Sequence, residues 1–114
     1  MDVDVLLGSV PTPSADEMLR RRGLAQKFTL VFLRLGPASH DDDERNERLQ
    51  DEHQQHLTKL QLLGKLMWNG PVLVEHDIRG VSVYKVGLEE ARALAEADPK
   101  NAAHRTPLVL IPGS

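Results

Sequence analysis

The chain contains no cysteine. That excludes disulfides, thiolate metal sites and a thiol nucleophile, and it fits a reducing compartment. Long apolar runs are missing too. The longest, around residues 28–33 and 5–7, fall far short of the roughly 20 residues a membrane-crossing helix needs, so no membrane partner is expected. Basic residues never cluster beyond Arg20-Arg21-Arg22, and the net charge is −3. Nucleic acid is therefore a poor partner, since phosphate binding depends on a basic face. Gly8, Gly23 and Gly36 stand singly, so no phosphate-cradling loop is present, and Ser9, Ser14 and Ser39 lack a nucleophile-elbow context. Asp2 and Asp4 occupy the place where an export signal carries Lys or Arg. The expected location is cytoplasmic.

What remains is an ordinary globular composition. The chain has 114 residues, 40% hydrophobic and 27% charged, enough for one domain with a modest core. Residues 1–26 read as an N-terminal extension. Pro11-Thr12-Pro13 interrupts it, and Ser14-Ala15-Asp16-Glu17 has the spacing of a capping box. A short amphipathic helix over 15–22 is expected to stop at a left-handed Gly23 and to dock through Met18 and Leu19. Val3, Val5 and Leu7 alternate as in a strand that adds to a sheet edge.

Residues 27–114 read as the domain. β-branched and aromatic residues over 27–35 predict a central strand, closed by Gly36-Pro37. Ser39 and the acids Asp41, Asp42, Asp43 and Glu44 then suit the positive end of a helix. That helix ends at Gly64. Strands over 66–74 and 80–86 form a hairpin around the turn at Glu75-His76-Asp77-Ile78, with an irregularity expected at Gly70-Pro71. An alanine-rich helix covers 88–97 and a last strand covers 106–111. This order, βαββαβ, is that of an α+β, ferredoxin-like antiparallel sheet with two helices on one face. The other sheet face is apolar, and a homodimer with sheet against sheet is the simplest cover.

The first long helix carries an anomaly. Leu49, His53, His56, Leu57, Leu60 and Leu63 recur at helical spacing on one face, and two imidazoles in such a stripe need partners. His53 suits general acid–base work near neutrality, or it is a boundary histidine bonded to a neighbouring carbonyl. Asp98 precedes Pro99, the pattern of an N-cap followed by a first helical position. It also suits the orienting partner of a catalytic histidine, and one carboxylate can do both. His53 and His56 with Asp98, His76 or His104 would suit a metal, although no ligand motif accompanies them, and no metal or cofactor is assigned. Trp68 and Tyr84 lie on strands, as core or as the aromatic wall of a substrate pocket.

Taken together, Leu33-Arg34-Leu35-Gly36-Pro37, His53, Gly64-Lys65-Leu66, Gly70-Pro71, Arg79-Gly80, the segment from Leu88 to Ala95 and Asp98-Pro99 resemble the YCII-related family over about residues 27–112. The resemblance implies a dimeric α/β barrel whose active site is a histidine and an aspartate, by position His53 and Asp98. The chain departs from the family pattern at Asn101 and His104, and in its non-aromatic ending Leu108-Val109-Leu110-Ile111-Pro112. Those differences bear on the substrate. The expected function is a small-molecule pocket: a cofactor-free isomerase or lyase acting on a small cyclic or hydroxylated organic molecule. His53 and Asp98 would be catalytic, with His56, Trp68 and Tyr84 contacting substrate. The alternative is a metabolite-binding or regulatory dimer without turnover.

Overall fold

The computed structural model describes residues 1–37 and 43–114. Its elements in chain order are α1 (Val3–Gly8), α2 (Ala15–Gly23), β1 (Phe28–Arg34), α3 (Asp43–Leu62), β2 (Leu66–Pro71), β3 (Ile78–Tyr84), α4 (Leu88–Glu96), α5 (Pro99–His104) and β4 (Leu108–Gly113). The architecture is α+β, built on a four-stranded antiparallel open sheet in the order β2-β3-β1-β4. The acidic helix start expected at Ser39, Asp41 and Asp42 lies outside the described residues.

Strand alternation separates the two sheet faces. Thr29, Val31 and Leu33 of β1 point inward beside Ser82 and Tyr84 of β3 and Leu108 and Leu110 of β4. Against that face α3 sets Leu57 and Leu60, and α4 sets Ala91 and Ala95. Together with Leu66 and Val86 they form the core. The small alanines let α4 approach β1 closely. Thr29 keeps its buried hydroxyl satisfied by donating to the Val86 carbonyl at 2.9 Å. The other sheet face carries Leu30, Phe32, Val81, Val83, Val109, Ile111 and Trp68, and no described element covers it.

Several expectations change. Residues 3–8 are helical, because the Asp2 side chain accepts the Val5 N–H at 3.2 Å and caps the turn. In α2, Ser14 accepts the Glu17 N–H at 3.1 Å as expected, but the Glu17 carboxylate takes Arg20 and Arg21. Gly23 is the last residue of the helix. The cap is Leu24, in ordinary right-handed conformation, and the left-handed glycine is Gly64 after α3. Met18 and Leu19 stay exposed, so α2 does not dock on its own domain. Leu63 is 69% exposed because α3 ends one residue before it. The irregularity of β2 falls between Leu66 and Trp68, while Gly70 and Pro71 pair regularly with Val81 and Gly80. Pro71 is tolerated there because β2 is an edge strand.

Beyond Leu33 the pairing of β1 with β3 shifts by one residue, so Arg34 faces Ile78 and the Arg79 side chain departs from strict alternation. Gly36 then passes against the end of α5. A Cβ at Gly36 would collide with the His104 carbonyl, so the close approach requires glycine.

Candidate functional site

His53 lies midway along α3, four residues after buried Leu49 and four before buried Leu57, so the helix turns its ring toward the α4–α5 junction. Asp98 waits there. Its Oδ1 accepts the Lys100 N–H at 2.9 Å, which makes Asp98 the N-cap of α5, with Pro99 at the first helical position. Its Oδ2 bonds His53 Nδ1. One carboxylate thus both caps α5 and bonds the His53 ring. The side chains are 12% and 1% exposed for His53 and Asp98. With Nδ1–H donating to the carboxylate, Nε2 on the far side of the ring is left to accept or deliver a proton.

His53 borders a cavity of about 570 Å³, within the range of small-molecule sites, and Asp98 lies outside its lining. Its walls come from four places. From α3 come Glu47, Gln50, His53 and Leu57. The sheet provides Asn69, Arg79 and Ser82, the end of β1 provides Arg34 to Gly36, and α5 provides Lys100, Asn101 and His104. Asn101 is held by its Nδ2 donating to the Ala95 carbonyl at 3.0 Å. Lys100 Nζ donates to Gln50 Oε1 at 2.6 Å. Burial pushes the Lys100 ammonium below the usual lysine range. The negative charge of Asp98 pulls it back up, and the positive charge of Arg79 pushes it down again.

The other expected site residues fall elsewhere. His56 Nε2–H donates to the Leu94 carbonyl at 2.8 Å, tying α3 to α4, and the ring does not border the cavity. Tyr84 is 2% exposed in the core. Its phenol is pushed up to about 12 by burial and by the charge of Asp98, so it stays protonated behind the His53–Asp98 pair. Trp68 is 54% exposed and pairs with Val83 on the outer face, its ring lying across Gly70. His76 Nδ1 accepts the Ile78 N–H at 2.9 Å within its turn, beside a shallow hollow that includes Phe32 and Ile111. Among the described residues no three His, Asp or Glu side chains gather as a metal-holding group. Likewise, no helix among them is long and apolar enough to cross a membrane.

Reasoning from sequence missed the polar walls contributed by Arg79, Lys100, Ser82 and Asn69. It did single out Asn101 and His104 as departures from a family pattern, and both face this cavity. Comparison of the chain with protein-family models and with curated proteins finds no match.

Proposed function

We propose that the chain is a small-molecule pocket protein that performs cofactor-free acid–base chemistry, with His53 as the proton-transferring residue and Asp98 as its orienting partner. The observation that carries this reading is that His53, which lines a cavity of suitable size, is bonded through Nδ1 to a carboxylate that is itself fixed by the α5 cap. An imidazole so held keeps one tautomer, and the buried carboxylate stabilises the imidazolium that forms when Nε2 takes a proton.

The reaction class is isomerase or lyase. His53 would take a proton from a carbon beside a carbonyl. It would return that proton to another carbon of the same molecule, or to a departing group as a double bond forms. His56, bonded to Leu94, is not available as the second donor, whereas Ser82, Asn69 and His104 border the cavity. The strand order β2-β3-β1-β4 with α3 and α4 on one face supports a ferredoxin-like reading and, with the motif order, the YCII-related assignment. The apolar outer face supports a sheet-to-sheet homodimer, the dimeric α/β barrel of that family. A cytoplasmic setting accords with a chain lacking cysteine.

A second reading rests on the cap. Because Asp98 starts α5, its bond to His53 also serves packing, and the cavity would then hold a metabolite without turnover. Deuterium uptake from heavy water into small keto and hydroxy compounds, followed by proton NMR, separates the two. Wild-type protein should exchange carbon-bound hydrogen in at least one ligand, and His53→Gln should bind that ligand with exchange lost. Binding without exchange in wild type selects the metabolite-binding reading.

A further inference from the structure

Arg79 and Lys100 have no part in the proton chemistry proposed above, yet both border the same cavity as His53. They arrive from unrelated elements. Arg79 comes from the shifted start of β3, and Lys100 from the first turn of α5, two residues after Asp98. Four cations elsewhere hold carboxylates: Arg20 and Arg21 hold Glu17, Lys65 holds Glu90 at 2.8 Å, and Arg34 holds Asp77. Among the described residues Arg79 and Lys100 have none. The polar partner of Lys100 is the neutral amide of Gln50, which leaves ammonium hydrogens over.

This arrangement has an electrostatic cost. Burial is the main reason the Lys100 ammonium is depressed, and the charge of Asp98 opposes that, but Arg79 adds a repulsion of its own across the cavity both border. Of the charged groups facing the cavity, Arg34 is already engaged by Asp77, and Glu47 is the acidic counterpart among the described residues. Arg79 and Lys100 thus outnumber the one acid that lines the cavity, and the nearby Asp98 carboxylate is already engaged by His53 and the Lys100 N–H. An anion between Arg79 and Lys100 relieves their repulsion and gives each a charged acceptor.

We infer that Arg79 and Lys100 form the seat for the carboxylate of a small organic acid, whose reacting carbon is thereby delivered to His53. The inference rests on the acid–base reading only in naming His53 as the reacting group; the seat itself is a statement about binding. Lys100 follows the orienting aspartate so closely that the carboxylate is anchored beside the dyad. Ligands in which the acidic carbon is bonded to the carboxylate or separated from it by one carbonyl, as in 3-keto and 2-keto acids, are favoured over long-chain acids.

The test uses the full chain and a panel of small keto and hydroxy carboxylates, each paired with its uncharged methyl ester, with inorganic phosphate as a separate probe. Binding is followed by backbone and side-chain NMR shifts of Lys100, Arg79 and His53. Carboxylates should bind and move these signals, and their esters should not. Arg79→Gln and Lys100→Gln should each weaken binding by about tenfold or more, while Lys100→Arg retains it. Circular dichroism of the variants keeps loss of fold apart from loss of charge. The seat is overturned if the esters bind as well as the acids, if no carboxylate binds, if phosphate alone binds, or if both Gln variants bind normally. Failure of the acid–base reading looks different. Carboxylates would then bind through Arg79 and Lys100 with no deuterium uptake by any of them.

Discussion

Asp98 separates two functions that most substitutions would remove together. Asp98→Ala deletes the α5 cap and the partner of His53 at once, and should lower stability by about 1–3 kcal/mol in urea titration. Asp98→Asn retains a side-chain oxygen for the Lys100 N–H, so most of that stability should return. Its neutral amide cannot stabilise an imidazolium, however, so proton exchange should stay low in the asparagine variant. Recovery of exchange along with stability would show that the carboxylate serves packing alone. Tyr84 provides a second reading of the same charge. Its folded-state pKa of about 12 lies above the ordinary value of 10.0, so the folded chain binds more protons than the unfolded chain between those limits. The stabilising difference is present below pH 10 and is lost as pH rises toward 12, to the extent of about 3 kcal/mol. Urea midpoints at pH 9 and pH 11 should therefore fall further apart in wild type than in Tyr84→Phe.

Among the elements, those with a sustained period were legible in the sequence. β1 follows from its β-branched and aromatic residues, α3 from Leu49, Leu57 and Leu60, and α4 from its alanines. The caps at Ser14 and Asp98 followed from local hydrogen-bonding chemistry alone. α1 was not legible, because six residues hold too few turns for period to decide, and the Asp2 cap outweighed the alternation of Val3, Val5 and Leu7. The His53–Asp98 pair emerged through a family resemblance; helix period shows only that His53 faces inward. Arg79 and Lys100 lie on separate elements, and a shift in strand register helps bring them together, which no local pattern encodes. The two N-terminal helices bury nothing, with Val5, Leu7, Leu19 and Leu24 all exposed. Deleting residues 1–26 should thus shift the melting temperature of a monomeric chain by no more than about 2 °C in calorimetry. A larger loss would mean that the arm packs on a second molecule.

At the scale of the whole molecule, the uncovered sheet face is the feature that assembly must answer. If two copies join through it, replacing Trp68 and Ile111 together by Lys should convert a dimer into a monomer in light scattering, with the circular dichroism spectrum preserved. Both side chains are exposed at the outer face, so the change spares the core. An unchanged mass would assign the interface to another surface. The N-terminal arm bears on how such a mass must be measured. The chain has a radius of gyration of 18.1 Å and extents of 54 × 34 × 22 Å, against roughly 13 Å expected for a rounded domain of this length. A body so drawn out drags more solvent than its mass implies and leaves a gel-filtration column early. A single copy would then elute where a rounded dimer would, whereas a chain shortened to residues 27–114 should elute according to its true number of subunits.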